Sequence, residues 1–497
     1  MKRKALYLAL LLVLGLAVPL IAQPFAAGSK IPAFATSGAG VVSAVAAGTD
    51  GGFAVLWLRK DGNLIARAFT AAGSPAGPEH TLSVPQTVPG PSTFTIRAGF
   101  WSLAAHPGGG YVAVWAEVTN NDYTFSSIFK FQRLDASGEP VGPAQKLKGE
   151  DYSSVPFQIQ VDASGGLTIA WSDGFLSVAQ RFDANGVAQN PSFVLANDPV
   201  LANDYPTAIL PDGGFVVARD PLEGPLTVRL FHPDGSPASA DIPVDAQTVA
   251  RTHVRVAAGP EGHFVVAWKE AGERILARLF GPDGRPLTSK IVVVPSHAGV
   301  VPVYSLNAAV NAAGSFLIQW TLGGDLVATA FDASGDQIGP GLQLDHSVVG
   351  GFEADAAAIP GGWISSWTTN LGNNNSSGPW LSLALACALP GEPGLCLNGN
   401  RFRATVTWRV SPSAEGSGIP IPLTGDTGAF WFFSPENYEL VVKVLDGNAI
   451  NGHFWVFYGS LTDVEFDLTV TDTLTGEQRT YHNTAGTMAS HADTEAF

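Results

Sequence analysis

Sulfur and charge are both scarce in this sequence. Its 497 residues include only two cysteines and two methionines, and 14% of them are charged. So few cysteines exclude a disulfide-rich scaffold. Basic residues are the minority among the charges, with 27 Lys and Arg against 43 Asp and Glu and a formal net charge of −16. A field of this sign opposes binding to nucleic acid or to an anionic membrane surface.

Long apolar runs are also missing, except at the N-terminus. Residues 2–4 are basic, residues 5–22 are apolar and a polar residue follows, which is the order of a secretory signal peptide. A membrane anchor is the alternative, but a glycine and a proline interrupt a barely sufficient span. We expect cleavage after Ala22, with Ala26 or Ala27 as second choices. The product is expected to be secreted, periplasmic or bound to the cell surface, with no transmembrane segment.

Glycine and proline, in contrast, are abundant, with 56 and 35 copies, a composition typical of turn-rich β proteins. A motif recurs seven times in this background. Each copy has a large anchor residue with a glycine two positions before it; six copies have a tryptophan four positions after it, and six have an alanine seven positions before it. The anchors are Phe53, Tyr111, Leu167, Phe215, Phe264, Phe316 and Trp363.

The copies follow one another at spacings of 47 to 58 residues. A period near fifty with several short strands is typical of a β-propeller. Residues 28–386 are therefore predicted to form an all-β, seven-bladed β-propeller with four strands in each blade. The segment 28–35 resembles a fourth strand, and we expect it to close the ring by completing the seventh blade. In the first blade the predicted strands are Val41–Ala47, Phe53–Leu58, Leu64–Phe69 and His80–Val84.

The repeated residues fit the geometry of a blade. Phe264, Val266 and Trp268 share one face of a strand, Val265 and Ala267 share the other, and both sets are apolar. Such a strand is predicted to be buried between two neighbouring sheets. The recurrent alanine is expected where the sheets converge on the axis, and the recurrent glycine in a hairpin turn that requires a positive φ.

A second turn of the type Asp-x-x-Gly recurs between the predicted third and fourth strands. Between Asp183 and Gly186 it is similar to the start of a calcium-binding loop. No chelating glutamate follows at the required spacing. A hairpin turn whose aspartate bonds its own backbone is therefore the favoured interpretation.

Residues 387–497 lack the repeat and are predicted to form an antiparallel β-sandwich domain. Cys387 and Cys396 flank a turn-forming segment at its start. A disulfide between them is the favoured interpretation in an exported protein, and a metal-binding pair without a nearby histidine is the alternative. Dense aromatic residues follow at 430–433 and 454–458, and consecutive aromatics must point to both faces of a strand. One set either packs on a neighbouring sheet or on the propeller, or forms a stacking surface for a sugar.

Two strings resemble known proteins. The segments GGFVVA at 213–218 and QRFDANG at 180–186 are similar to the blade repeats of exported bacterial propeller proteins. The ending, from RFRATVTWRV to NGHFWVFYGSL, resembles a recurrent C-terminal domain of secreted bacterial proteins that has no assigned activity. The resemblance implies architecture and export, but it carries over no functional residue, because propellers host many functions.

Catalytic motifs are missing. No Gly-x-Ser-x-Gly elbow, His-Glu-x-x-His motif or Gly-Lys phosphate loop occurs. The segment from Ser164 to Trp171 lacks the aspartate of a sialidase-type turn. Arg67, Arg229 and Arg278 share one strand position that other repeats fill with glutamine or threonine, which favours a solvated or edge-packing role over a substrate site. We therefore expect no catalytic residue, no metal site and no cofactor, although carboxylates could still meet across blades.

Two functions remain open. The first is a secreted non-catalytic binding or interaction protein for an extracellular glycan or protein, using a propeller face and the aromatic-rich C-terminal domain. The second is a carbohydrate-active enzyme, a glycoside hydrolase or lyase, with its site over the propeller channel. Acidic residues converging at one channel mouth would favour the enzyme.

Long insertions at 85–99, 116–127 and 370–379 are predicted as loops that crowd one sector of one propeller face. Idle surface loops are the alternative. The candidate ligand-binding residues are Asn120, Asp122, Tyr123, Asn374, Trp431 and Trp455.

Overall fold

The structure of the protein is a computed structural model. It describes residues 25–27, 31–33, 40–49, 51–70, 73–88, 94–121, 124–147, 157–173, 176–197, 207–220, 224–295, 303–338, 341–346, 354–359, 362–370, 376–386, 394–398, 401–411, 414–473 and 475–497.

Seven antiparallel sheets of four or five strands follow one another along the described part of residues 25–386. Two short strands come first, β1 (Phe25–Ala27) and β2 (Ile31–Pro32). Sheet one is β3 (Gly40–Ala47), β4 (Phe53–Arg59), β5 (Leu64–Phe69) and β6 (His80–Ser83). Sheet two is β7 (Gln86–Val88), β8 (Phe94–Ala105), β9 (Tyr111–Asn121), β10 (Thr124–Leu134) and β11 (Gln145–Lys146). Sheet three is β12 (Phe157–Val161), β13 (Leu167–Asp173), β14 (Leu176–Phe182) and β15 (Phe193–Asn197).

The next four sheets continue the pattern. Sheet four is β16 (Thr207–Ile209), β17 (Phe215–Arg219), β18 (Leu226–Phe231) and β19 (Ile242–Asp245). Sheet five is β20 (Arg251–Ala258), β21 (Phe264–Glu270), β22 (Arg274–Phe280) and β23 (Ile291–Val294). Sheet six is β24 (Val303–Val310), β25 (Phe316–Leu322), β26 (Asp325–Phe331) and β27 (Leu342–Asp345). Sheet seven is β28 (Asp355–Ile359), β29 (Gly362–Asn370) and β30 (Ser376–Ala386), joined by β1 and β2.

All seven sheets meet at one central cavity of about 1440 Å³. The strands β3, β8, β12, β16, β20, β24 and β28 line it. The recurrent alanines lie on this wall, as the sequence predicts, because only small side chains fit where the sheets converge. They are Ala46, Ala104, Ala208, Ala257, Ala309 and Ala356. This part of the chain is therefore an all-β propeller.

The other two repeated positions also lie where the sequence predicts. The recurrent glycines adopt a φ between 79° and 93° at six positions, in the tight turn before the second strand of a sheet. They are Gly51, Gly109, Gly165, Gly213, Gly262 and Gly314, and Gly361 lies outside the described residues. The recurrent tryptophans Trp57, Trp115, Trp171, Trp268, Trp320 and Trp367 are at most 7% exposed.

The two faces of β21 belong to two different cores, as its alternation predicts. Phe264, Val266 and Trp268 pack in the core between sheets four and five. Val265 and Ala267 pack in the core between sheets five and six. Each sheet therefore buries both faces against its neighbours, and the sheets stabilise one another around the ring.

Sheet seven is built from both ends of this part of the chain. Strand β1 pairs antiparallel with β30, with Phe25 opposite Ala386. Strand β2 pairs with the same strand further along, with Ile31 opposite Leu381. The paired residues start earlier than the expected segment 28–35. Of the described residues of that segment, 31–33, two belong to a strand. These pairings cover the edge of β30, which would otherwise expose unpaired backbone groups.

The Asp-x-x-Gly turns are hairpin turns. Oδ1 of Asp183 accepts hydrogen bonds from the backbone N–H groups of Asn185 at 2.9 Å and Val187 at 2.8 Å. Asp135 and Asp332 make the same pair of bonds in their own turns. The favoured interpretation is confirmed, since the carboxylate is occupied by its own backbone. No group of three or more metal-ligating side chains occurs among the residues described.

Two further five-stranded antiparallel sheets follow from residue 395. One contains β31 (Leu395–Leu397), β32 (Phe402–Ser411), β33 (Ala414–Ser417), β38 (Glu465–Asp472) and β39 (Gln478–Asn483). The other contains β34 (Ile419–Pro422), β35 (Thr427–Trp431), β36 (Leu440–Asp446), β37 (Phe454–Ser460) and β40 (Ser490–Asp493). A four-residue helix, α1 (Asn448–Asn451), lies between β36 and β37.

These last two sheets share a core of their own. Phe402, Val406 and Leu468 from one sheet pack with Phe430 and Val456 from the other. All described members of this core lie between residues 395 and 497. Within the residues that the structure describes, no helix is long and apolar enough to cross a membrane.

Candidate functional site

The central cavity is the first place to look for a site, because seven sheets converge on it. Most of the residues that line it are apolar, and alanine is the commonest. Polar side chains gather at the end of the cavity opposite the tight glycine turns, at Arg255, Asn307 and Asp355. We call this mouth the polar end and the opposite mouth, where the tight glycine turns lie, the turn end.

The polar side chains at the polar end hold the sheets together. Asn307 Nδ2 donates to Asp355 Oδ1 at 2.8 Å and to the Ala354 carbonyl at 3.1 Å. Asp355 Oδ2 accepts the backbone N–H of Val45 at 2.9 Å. The carboxylate of Asp355 therefore joins sheets six, seven and one. Its oxygen atoms are occupied by structural hydrogen bonds, which leaves it poorly suited to proton transfer.

The other cavity carboxylate lies at the turn end. Asp162 follows β12, and its Oδ1 accepts the backbone N–H groups of Ser164 at 2.8 Å and Gly166 at 2.9 Å. Partial burial raises the pKa of Asp162, but these bonds and one from the Ser164 hydroxyl outweigh it and hold the pKa below its ordinary value. Asp162 and Asp355 stand at opposite ends of the innermost strands. The described part of the cavity therefore offers no pair of carboxylates for glycoside chemistry.

A second ionic cluster lies between sheets four and five, and no sequence motif predicted it. The Arg251 side chain is fully buried and contacts Asp220 at 2.8 Å and Asp245 at 3.2 Å. Lys290 lies 3.1 Å from the same Asp245. Burial raises the pKa of Asp245, but Lys290 and Arg251 outweigh it and lower the pKa below its ordinary value. The two carboxylates and the two basic side chains balance one another and connect two sheets. The cluster therefore has little net charge with which to attract a ligand.

Of the three arginines that share one strand position, two reach across a sheet edge and the third forms a partly exposed ion pair, which agrees with the predicted solvated or edge-packing role. Arg278 Nη1 donates to the Val244 carbonyl of the preceding sheet at 3.0 Å. Arg67 Nη1 donates in the same way to the Ala33 carbonyl at 3.2 Å. Arg229 instead pairs with Asp241 at 2.7 Å. Residue Ala33 thus occupies the place in the N-terminal segment that Val244 occupies in sheet four.

Within the described residues, much of the predicted insertions next to sheet one is strand, at 86–88, 94–99, 116–121, 124–127 and 376–379. Strands β9 and β10 remain paired to Asn121 opposite Thr124, and β8 is paired with β9 from Thr95. The prediction of a loop at 116–127 is therefore wrong, because cross-strand pairing extends the hairpin almost to its tip. In sheet seven the pairing likewise continues to Asn370 opposite Ser376.

Sheets seven and two flank sheet one, and both extensions lie at the polar end, where second strands finish and third strands begin. Strand β9 has eleven residues, whereas β21 in sheet five has seven. Of the candidate binding residues, Asn120 lies in the extended part of β9, opposite Phe125. Asp122, Tyr123 and Asn374 lie outside the described residues.

The aromatic candidates of the last two sheets are not brought together. Trp431 ends β35, just beyond the Phe430–Leu440 pair. Trp455 lies near the other end of the same sheet, opposite Leu445. Both are half-buried. Cys396 is buried in β31 and Cys387 lies outside the described residues, so their disulfide stays a prediction.

Trp455 has neighbours that sequence reasoning missed. Phe457 lies two residues along the same strand face, with its ring centroid 6.3 Å from that of Trp455. Lys443 stands directly opposite Phe457 on β36 and is exposed. The period-two alternation could have shown Phe457. The placement of Lys443 beside Phe457 depends on the register between two strands. That register cannot be read from the sequence alone.

Comparison with known proteins is limited to solved structures, since no family model and no curated protein matches this sequence. The WD40 domain of coronin from Toxoplasma gondii is similar at a TM-score of 0.44 and 12% identity, covering 75% of this chain and 89% of that domain. A PL25 ulvan lyase is similar at a TM-score of 0.45 and 9% identity, covering 72% and 96%. The propeller of Dos1 is similar at a TM-score of 0.38 and 11% identity, covering 73% and 96%.

Proposed function

We propose that this chain is an exported, non-catalytic binding protein. In this proposal a seven-bladed propeller, closed by the N-terminal strands, precedes a C-terminal β-sandwich. Residues 1–22 are removed as a signal peptide, and Cys387 and Cys396 form a disulfide. The resemblance of the repeats to exported bacterial propeller proteins agrees with this reading.

One observation carries the choice of binding over catalysis. The two cavity carboxylates whose contacts are described, Asp162 and Asp355, stand at opposite mouths, and both are occupied by hydrogen bonds within the fold. A retaining or inverting glycosidase needs two carboxyl groups within roughly 5 to 10 Å of each other. Asp162 also has a lowered pKa, the opposite of what a general acid requires.

The working surface in this proposal is the polar end beside sheets seven, one and two. There the hairpins β9–β10 and β29–β30 extend beyond the length of their counterparts, on either side of sheet one. The two extended hairpins stand on either side of a sheet whose strands are shorter. This arrangement suits a ligand that lies across the ring, such as an extracellular glycan or a protein segment. The segments chosen for the test are 119–123 and 373–377, which include the paired residues 119–121 and 376–377 at the far ends of these hairpins.

The test combines a binding assay with an assay for products. The mature chain, residues 23–497, is applied to a glycan array and incubated with every glycan that it retains. Retention with no release of new reducing ends or unsaturated sugars supports the proposal. Release of either product that depends on the protein establishes the carbohydrate-active enzyme instead.

The position of the binding surface is tested by exchanging these two segments. Replacing 119–123 and 373–377 with Gly-Ser sequences is expected to weaken binding at least tenfold, about 1.4 kcal/mol. The control is the same exchange at the exposed segment 246–249, between sheets four and five. Equal binding by all three proteins places the site elsewhere.

A further inference from the structure

The outer face of β36 and β37 carries a group of side chains that the protein core does not use. Phe454, Val456 and Tyr458 point into the core of the last two sheets. Trp455 and Phe457 alternate with them and are half-buried on the opposite face. Their cross-strand partners are Leu445 and Lys443. Together these four residues form a continuous surface, which we call the outer aromatic face.

The indole of Trp455 is held in one orientation. Its Nε1 donates to Asn451 Oδ1 at 2.8 Å, and Asn451 Nδ2 donates to the Thr494 carbonyl at 2.8 Å. The ring lies over Gly447, where an added Cβ would stand 2.2 Å from Cε2 of the indole. A side chain fixed in this way loses little freedom when a ligand stacks on it, and such preorganisation increases affinity.

Lys443 gives the outer aromatic face its charge. Three arginines of this part of the chain are paired: Arg401 with Asp472 at 2.7 Å, Arg409 with Glu415 at 3.5 Å and Arg479 with Glu477 at 2.6 Å. Lys443 is exposed and forms no ion pair within the residues described. Its register neighbours across the sheet are Thr427 and Phe457, neither of which is acidic. The face therefore presents one free cation beside two aromatic rings, in a chain with a formal net charge of −16.

We propose that the outer aromatic face binds an acidic polysaccharide. A pyranose ring has an apolar C–H face that stacks on an indole, and its hydroxyl groups remain in water. A uronic acid adds a carboxylate at the ring edge, and Lys443 is placed to pair with it. A neutral sugar would leave the lysine without a role. The charge of this face is locally positive at Lys443, although the chain as a whole is acidic.

This inference specifies the ligand class of the C-terminal part of the proposed function and rests on it. It assigns the site to Trp455, Phe457 and Lys443 rather than to Trp431. Trp431 lies near the opposite end of the sheet, and it serves as a matched control because it is also half-buried.

The test is affinity electrophoresis of the mature chain in native gels that contain polygalacturonate or its highly methyl-esterified form. The two polymers share the same sugar rings and differ in charge. The wild-type protein is expected to be retarded more strongly by the acidic form. Trp455→Ala should weaken retardation by both forms at least tenfold, and Trp431→Ala by no more than about twofold.

Lys443→Gln is expected to remove the preference for the acidic polymer, with Lys443→Arg retaining it, since a single charge-assisted contact sets that preference. Lys443 is exposed, so these two variants test the charge without disturbing the core. No retardation of the wild type by polygalacturonate, or an unchanged preference in Lys443→Gln, overturns the inference. If Trp455→Ala keeps full retardation but the exchange of 119–123 and 373–377 removes it, this inference fails while the proposed function stands.

Discussion

At the scale of single residues, the recurrent tryptophan has two tasks. Trp268 is fully buried between sheets four and five, and its Nε1 donates to Glu270 Oε1 at 3.1 Å. In sheet seven, Trp367 Nε1 donates instead to Asp345 of sheet six at 2.6 Å. At these two positions the ring fills the space between two sheets and its single donor finds a carboxylate. The buried Nε1 atoms of Trp115 and Trp320 have no hydrogen-bond acceptor among the described residues. Both tasks need the large polar-edged ring of tryptophan.

Trp268→Ala is expected to lower the free energy of unfolding by about 3–5 kcal/mol, because a large cavity would remain between two sheets. Trp268→Phe should cost less, since it keeps most of the apolar contact and loses the hydrogen bond to Glu270. Denaturant unfolding measures both. The control is Val292→Ala on the outermost strand of the same sheet, where the side chain is 45% exposed and the expected change is about 0.5 kcal/mol or less. A loss below about 1 kcal/mol in Trp268→Ala contradicts the packing role.

At the scale of elements, the N-terminal strands substitute for the outer strand of sheet seven. β1 and β2 together pair five residues with β30. Ala33 follows β2, is fully buried in the core shared by sheets one and seven, and accepts the bond from Arg67. The pairing of β1 with β30 also distinguishes between the expected signal-peptide cleavage sites. Cleavage after Ala27 would remove β1, and cleavage after Ala26 would leave only its last residue, whereas cleavage after Ala22 leaves it complete.

Deleting residues 25–33 is expected to expose the edge of β30 and to remove the acceptor of Arg67. The protein should then associate through the bare edge or lose its single cooperative melting transition. Size-exclusion chromatography with light scattering and a thermal scan measure these outcomes. Arg67→Met tests the hydrogen bond alone and should lower the melting temperature without changing the oligomeric state. A monomeric deletion variant with unchanged melting would mean that the strands are dispensable.

At the scale of the whole molecule, carboxylates fasten the turns and sheets together. Asp135 and Asp162 hold hairpin turns, and their pKa values lie below the ordinary value because they accept hydrogen bonds when ionised. Glu273 accepts the backbone N–H of Val303 in sheet six, and its pKa is lowered despite partial burial. Asp245 fastens sheets four and five through Arg251 and Lys290.

A depressed carboxylate pKa stabilises the folded state above the pKa of the unfolded chain, about 4 for Asp and Glu. That contribution is lost as the pH falls through the lower folded values. The urea midpoint is therefore expected to stay nearly constant between about pH 5 and 7 and to fall steadily below about pH 4. Asp245→Asn should be less stable at neutral pH and show a weaker decline. A midpoint that is the same at about pH 3 and pH 6 would contradict this account.

Much of the propeller could be predicted from the sequence because its signals are local. The alternation around Phe264 depends on neighbours two residues apart, and the positive φ of Gly262 depends on one turn. The sequence by itself thus determined where strands begin, which faces are buried and which residues lie near the axis. The strand register and the closure of the ring were decided only by the tertiary structure. The contact between Val45 and Asp355 joins residues 310 positions apart, and Lys443 meets Phe457 only through the pairing of β36 with β37. Such contacts form because whole sheets pack and pair, and no local pattern in the chain encodes the partner.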